Sequence, residues 1–262
     1  MTEFQDAADL IVRAREELHR VVVGQERMLD RILVSLIADG HCLLEGVPGL
    51  GKTLTLSSLA RVMGGSFSRI QFTPDLLPSD IVGTRLYRTS TETFDVEPGP
   101  VLANFVLADE INRASPKTQF LVMATQNPIE SEGVYPLPEA QRDRFLMRVP
   151  VDYPTLDEER QIVERMDLGP NAANEVLGAP AVLDLQRVAR SVVVPEGVRE
   201  YALGLVQATR HPIAAGLTHL EGLIAFGGSP RASIALVRCA RALALLRGRD
   251  TATVQDVYDI AY

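Results

Sequence analysis

A glycine-rich stretch near residue 50 is the part of this sequence best suited to chemistry. Residues 46–53 read Gly-Val-Pro-Gly-Leu-Gly-Lys-Thr, which fits the pattern G-x-x-x-x-G-K-[ST]. The backbone N–H groups of such a loop wrap a phosphate, its lysine reaches the β- and γ-phosphates of a nucleotide, and its threonine hydroxyl binds Mg²⁺. A glycine-rich turn without a ligand is the alternative. The predicted binding residues of this phosphate loop are Gly46, Val47, Pro48, Gly49, Leu50, Gly51, Lys52, Thr53 and Leu54.

Two acidic residues, Asp109 and Glu110, follow the apolar run 105–108. In phosphate-loop enzymes the first acid of such a pair holds the Mg²⁺ shell. The second acid can serve as general base toward the attacking water. Two acids that simply end a strand are the alternative, and the phosphate loop about 60 residues upstream favours the catalytic interpretation.

Four further polar residues are candidates for the same site. The amide of Asn127, after another apolar run, would orient the attacking water or contact the γ-phosphate, or it is an ordinary turn residue. Arg231 falls in the first turn of a predicted helix, where the helix dipole disfavours a cation. Contact with a nucleotide phosphate would explain this placement. The alternative is an ordinary solvated arginine on the surface. Arg142 and Arg144 precede the apolar run 145–151, where either would also suit a surface ion pair, and their spacing does not separate them.

The lysines bear on the type of nucleotide. Guanine is read by the pattern [NT]-K-x-D, and the chain contains two lysines, Lys52 and Lys117. The residues two positions after them are Leu54 and Gln119 rather than aspartate. The sequence therefore favours ATP over GTP.

Apolar runs separated by helical patterns surround these residues. Buried runs without alternation that alternate with helices indicate a parallel sheet covered on both faces. Beyond residue 152 the pattern is helical throughout. We therefore predict an α/β core over residues 1–152, with a loop or hairpin insertion at about 73–100, and a small all-helical domain over residues 153–262. The runs predicted as strands are 41–44, 68–72, 105–108, 120–125 and 145–151.

Composition excludes several other classes of protein. The 262 residues are 46% hydrophobic and carry a net charge of −8. This negative net charge argues against binding of nucleic acid through the overall charge of the protein. The two cysteines are too few for a structural zinc site, and they favour reduced thiols in the cytoplasm. No apolar run reaches the ~18 residues of a membrane span, and the acidic start is unlike a signal peptide.

Together these motifs resemble the MoxR family of AAA+ ATPases. The resemblance extends from about Glu17 to the end of the chain, and the stretch 70–80 is quite specific to the family. The matching segments are residues 21–25, 44–53, 70–80, 107–113, 124–128, 135–141, 143–145 and 229–232.

The resemblance implies an αβα core, a helical lid and ATP bound between them. It places Val23 and Gly24 near the adenine and assigns Asn127 as sensor 1, Arg231 as sensor 2 and Arg144 as the arginine finger. It also implies a homo-oligomeric ring, commonly a hexamer, whose central pore is faced by the helix-2 insertion at residues 73–100. Members are regarded as chaperone-like remodellers of protein clients, often working with von Willebrand factor A domain proteins. A nucleic-acid motor and a nucleotide-held structural switch with little turnover remain alternatives.

One feature departs from the family. Only nine residues, 111–119, separate Glu110 from the run that begins at Phe120. A crossover between parallel strands needs a dozen or more residues, and the family has a helix and a hairpin at this point. We therefore expect a segment of roughly two dozen residues to be missing between Gln119 and Phe120, with a break in the chain there.

Overall fold

The computed structural model describes residues 3–73, 75–89, 92–111, 123–126, 137–167 and 172–261. Its helices and strands follow in chain order. They are α1 (Glu3–Val21), α2 (Glu26–Ile37), β1 (Cys42–Glu45), α3 (Lys52–Val62), β2 (Phe67–Gln71), α4 (Pro78–Val82), β3 (Gly83–Arg88), β4 (Thr93–Pro98), β5 (Phe105–Asp109), β6 (Met123–Gln126), α5 (Glu139–Arg142), β7 (Met147–Pro150), α6 (Leu156–Asp167), α7 (Ala179–Ser191), α8 (Glu196–Arg210), α9 (Pro230–Leu246) and α10 (Val254–Ala261).

A five-stranded sheet forms the centre of the first half of the chain. Its strand order is β2-β5-β6-β1-β7, and every neighbouring pair is parallel. The carboxyl ends of all five strands therefore lie at the same edge, where the phosphate loop and Asp109 emerge. The predicted parallel sheet followed by a helical region is confirmed.

Both faces of the sheet are buried at β1 and β5, which explains why these two strands are apolar without alternation. At the edge of the sheet, β7 alternates between buried and exposed residues. In β1, Cys42 and Leu44 belong to a large apolar cluster on one face, and Leu43 belongs to a smaller cluster on the other. The larger cluster continues through α1, α2 and α3 into helices α7 and α9, so the amino-terminal helices pack on the carboxyl-terminal ones.

The insertion predicted at about 73–100 contains the short helix α4 and an antiparallel hairpin formed by β3 and β4. The hairpin side chains are largely exposed. The aromatic rings of Tyr87 and Phe94 pack against each other, with centroids 5.1 Å apart. Not all of this region is peripheral, because Ile81 of α4 is buried in the smaller apolar cluster.

The structure describes the strand predicted to begin at Phe120 only over Met123–Gln126. Residues 112–122, which precede it, lie outside the described residues. The expected break between Gln119 and Phe120 lies outside the described residues. Among the helices of the described residues, none is both long enough and apolar enough to cross a membrane.

Candidate functional site

The phosphate loop connects the carboxyl end of β1 to the first turn of α3. Gly51 stands immediately before α3 with φ of 74°, a left-handed conformation that favours glycine. Gly46 lies at the other end of the loop, where a Cβ atom would come within 2.6 Å of the carbonyl oxygen of Val151. Glycine at this position lets the loop pass close to the chain that leaves β7.

This close approach gives a stability prediction. Gly46→Ala should lower the free energy of unfolding by about 1–3 kcal/mol, because the added methyl group must displace backbone. Chemical denaturation measures this loss. Gly204→Ala is the control, since a Cβ at Gly204 in α8 meets no atom within 4 Å and should stabilise the helix by about 0.5–1 kcal/mol. A loss at Gly204 equal to that at Gly46 would contradict the steric explanation.

The side chain of Lys52 folds back over the phosphate loop. Its Nζ donates to the carbonyl oxygens of Gly46 (2.5 Å) and Val47 (3.2 Å). Burial lowers the pKa of the Lys52 ammonium, while the carboxylates of Asp109 and Glu110 act in the opposite direction. Lys52 thus places its donor group beside the loop and within the electrostatic reach of both acids.

The two acids stand at the end of β5 and are tied to neighbouring strands. The Thr125 hydroxyl, from β6, donates to Oδ1 of Asp109 and accepts from the backbone N–H of Glu110 (3.1 Å). Arg69, from β2, donates to Oδ2 of Asp109 through Nε (2.9 Å) and Nη2 (2.5 Å). Gln71 donates from Nε2 to Oε2 of Glu110 (2.6 Å).

The backbone of Glu110 adopts φ of 55°, which is uncommon for a residue with a side chain. Such conformations cost about 1–3 kcal/mol and cluster at functional sites. At this position the chain turns sharply as β5 ends, and the backbone N–H of Glu110 reaches the Thr125 hydroxyl.

A cavity of about 380 Å³ is lined by loop residues 48, 49 and 51–54 and by Arg69, Asp109, Glu110 and Thr125. We call it the phosphate-loop cavity. It brings together the loop lysine, the loop threonine and both acids, as the sequence predicted for one site. Arg69, Gln71 and Thr125 are not among the site residues that the sequence predicts, because their contacts depend on the strand order.

The oxygen donors in this cavity suit Mg²⁺. The hydroxyl of Thr53 and the carboxylate of Asp109 both line the cavity. Mg²⁺ is usually held by one or two carboxylates together with substrate phosphates and water, rather than by a cage of protein ligands. Within the described residues there is no group of three or more His, Cys, Asp or Glu side chains that could hold a metal.

Val23 and Gly24 lie close to the same edge of the sheet. The neighbouring Gln25 donates from Nε2 to the carbonyl oxygen of Asp152 (2.9 Å), just beyond the Val151 that contacts the phosphate loop. Gly24 itself is closely covered by the Glu158 side chain of α6. Their predicted contact with adenine stays a prediction.

Arg144 and Arg231 line a second cavity of about 620 Å³, together with His41, Asp143 and Arg238. We call it the arginine cavity. It lies at the amino edge of the sheet, where the N–H of Leu146 donates to the carbonyl oxygen of His41 just before β1. It therefore lies at the opposite end of β1 from the phosphate loop.

Arg231 is held in place by an ion pair. Its Nη1 lies 2.9 Å from Oδ2 of Asp143, and Ser229 donates to Oδ1 of the same carboxylate (2.5 Å). Ser229 caps α9 by accepting from the Arg231 N–H. Asp143 thus gives a local reason for a cation in the first turn of α9. Direct contact of Arg231 with a nucleotide stays a prediction, and Asn127 lies outside the described residues.

Two models of AAA protein domains match this chain. A model of the ATPase family associated with various cellular activities (AAA) matches residues 41–120 and 118–147, and an AAA lid domain model matches residues 217–262. The two pieces of the first match meet where the missing segment is predicted.

Three similar proteins cover nearly the whole chain. "Chaperone MoxR1" of Mycobacterium tuberculosis is 50% identical over 272 residues, which are 95% of this chain and 72% of that protein. "Protein MoxR" of Paracoccus denitrificans is 35% identical, over 93% of this chain and 84% of that protein. The crystal structure of a putative ATPase from Cytophaga hutchinsonii is 39% identical, with a TM-score of 0.92 over 99% of this chain and 87% of that one.

Proposed function

The chain belongs to the MoxR family of AAA+ ATPases, and on that premise we propose that it binds ATP with Mg²⁺ in the phosphate-loop cavity and hydrolyses the β–γ phosphoanhydride. The observation that carries this proposal is the convergence of Lys52, Thr53, Asp109 and Glu110 on one cavity. A bound Mg²⁺ would neutralise charge on the phosphate oxygens.

Each residue has a separate role in this proposal. The backbone N–H groups of the loop and the ammonium of Lys52 hold the phosphates. Thr53 and Asp109 are the residues that would hold Mg²⁺. Glu110 accepts the proton of the attacking water, and its fixed backbone at the end of β5 orients the carboxylate. Asn127 is proposed to orient the same water.

Replacing Lys52 tests the binding half of the proposal. Lys52→Ala should weaken ATP binding by roughly 10- to 100-fold, because it removes a charge-assisted hydrogen bond to the terminal phosphates. Calorimetric titration with a non-hydrolysable ATP analogue and Mg²⁺ measures the effect. Arg61→Ala removes an equal charge from the exposed last turn of α3 and should leave the affinity near that of the wild type. Unchanged affinity in Lys52→Ala would contradict the assignment of the loop.

The separation of the two cavities supports a proposal about assembly. We propose a homo-oligomeric ring, of six subunits by family resemblance, in which the arginine cavity of one subunit faces the ATP of its neighbour. Arg144 and Arg231 line the same cavity at the amino edge of the sheet, and the phosphate loop occupies the carboxyl edge. In this arrangement Arg144 would be the arginine finger, and Arg231 would reach the same phosphate after its ion pair with Asp143 opens.

We further propose that the ring remodels partner proteins, with the exposed hairpin of β3 and β4 directed toward its pore. A relative named as a chaperone is 50% identical to this chain, which supports such a role. Protein clients and von Willebrand factor A domain proteins are the proposed partners, and the cytoplasm is the proposed location. Affinity capture with ATP-loaded Glu110→Gln protein tests this proposal, because a subunit that binds ATP without hydrolysing it should retain its clients.

A further inference from the structure

The side chain of Arg69 forms an ion pair with the carboxylate of Asp109. The proposed function assigns this same carboxylate to Mg²⁺. Arg69 contacts Oδ2 of Asp109 through two N–H groups, and the Thr125 hydroxyl contacts Oδ1. Both oxygens of this carboxylate thus have protein donors. One of these donors is a cation that lines the same cavity as the phosphate loop.

The strand register explains why an arginine reaches this point. In the parallel pair of β2 and β5, Gln71 lies opposite Asp109, and Arg69 lies opposite Leu107. The side chain at 69 must therefore extend along the strand toward the carboxyl edge. Arginine is long enough and presents a planar fork of N–H donors, whereas lysine offers a single point charge.

The two partners of this ion pair differ in exposure. The side chain of Asp109 is 15% exposed, while that of Arg69 is 48% exposed. Because Asp109 is held between two strands, its position is fixed by the sheet. The Arg69 side chain, about half of which is in contact with solvent, can swing away without opening the fold.

Arg69 is also linked to the proposed general base. Its Nη2 donates to Oε1 of Gln71 (2.7 Å), and Gln71 donates from Nε2 to Oε2 of Glu110 (2.6 Å). Departure of the guanidinium would remove one of the contacts that orient the Gln71 amide, and that amide holds Glu110.

We propose that Arg69 is a positioning residue that competes with Mg²⁺ for Oδ2 of Asp109, so that the metal arriving with ATP displaces the guanidinium. A guanidinium and a divalent cation repel each other at contact distance, and the carboxylate favours one of them at a time. Before nucleotide binds, Arg69 compensates the charge of the largely buried Asp109 carboxylate. This inference rests on the proposed Mg²⁺ role of Asp109.

The test compares the affinity for a non-hydrolysable ATP analogue in Mg²⁺ and in EDTA. With Arg69→Met, the Kd in Mg²⁺ should fall by roughly two- to fivefold, the range expected when one partly exposed ion pair no longer competes. The Kd in EDTA should stay equal or rise, because there the variant only loses a positive charge. General electrostatics predicts weaker binding in both buffers, so tighter binding in Mg²⁺ identifies competition.

Control variants keep the outcome interpretable. Arg61→Met removes the same charge from the exposed end of α3 and should not tighten binding in Mg²⁺. Arg69→Lys keeps the charge and loses the fork, so its Kd should lie between those of wild type and Arg69→Met. Arg69→Gln should change in the same direction as Arg69→Met and replaces it if the methionine variant does not fold.

The inference is wrong if the Arg69→Met and Arg69→Gln proteins bind the analogue in Mg²⁺ equally or more weakly than the wild type. That result leaves the proposed function standing, provided that the wild type binds the analogue in a Mg²⁺-dependent way. Failure of the wild type to bind it would instead overturn the proposed function itself.

Discussion

Replacing Glu110 by glutamine is expected to slow ATP hydrolysis by roughly 10²- to 10⁴-fold while leaving ATP bound. The amide has the size of the carboxylate but cannot accept the proton of the attacking water. The side chain of Gln71 remains available as a hydrogen-bond partner at residue 110, so the variant should keep the shape of the cavity. Phosphate release under saturating ATP measures the loss.

A binding measurement completes this experiment. Calorimetry with ATP and Mg²⁺ should give Glu110→Gln an affinity within a few-fold of the wild type. Glu196→Gln makes the same chemical change at the exposed start of α8 and should leave both turnover and affinity unaltered. Turnover of Glu110→Gln near the wild-type rate would remove Glu110 from the role of general base.

Local sequence patterns carried enough information to predict the phosphate loop and the acid pair. The glycines, Lys52 and Thr53 occur at fixed spacing because a phosphate must be wrapped by consecutive N–H groups. The positions of Asp109 and Glu110 followed from an apolar run with two acids at its end. Parallel strands then bring the loop and the acids to one edge.

The contacts of Arg69 and Thr125 could not be predicted in the same way. Each is one polar residue within a strand, and its partner depends on which strands are neighbours and in what register they pair. The ion pair of Arg231 with Asp143 likewise joins residues 88 positions apart in sequence. A helix pattern indicates that Arg231 is unusual for a first turn, but it does not reveal the partner.

The packing partners of the helices in the carboxyl-terminal region also could not be predicted from local sequence. The periodicity of α7 and α9 identifies an apolar face without showing what covers it. In the structure, α1 and α2 pack against α7 and α9. Residues on both sides of position 152 therefore belong to one apolar cluster. Amphipathic helices far apart in sequence carry no local mark of their pairing.

Arg144→Ala is expected to cut ATP hydrolysis by on the order of 10³- to 10⁵-fold, with ATP binding and folding almost unchanged. The reason is that an arginine finger offsets charge that develops in the transition state, and this charge is smaller when ATP is merely bound. Arg144 lines the arginine cavity, away from the loop that is proposed to hold the phosphates in its own subunit.

Arg142 provides the matched control. It forms an ion pair with Glu139 within α5, whereas Arg144 makes no ion pair with any residue that the structure describes. Arg142→Ala should therefore retain turnover within a few-fold of the wild type, since an exposed pair contributes little. Equal losses in the two variants would remove the distinction between these arginines.

Mixing two inactive variants tests whether Arg144 acts across a subunit interface. Subunits with Arg144→Ala keep an intact phosphate-loop cavity, and subunits with Lys52→Ala keep Arg144. Neither should hydrolyse ATP alone, but in a mixed ring the second can supply its arginine to the ATP held by the first, so turnover should be partly restored. Light scattering or native mass spectrometry establishes that mixed rings form. If they form without any gain in phosphate release, Arg144 does not act in trans, and Arg142 or Arg113, which lies outside the described residues, becomes the next candidate.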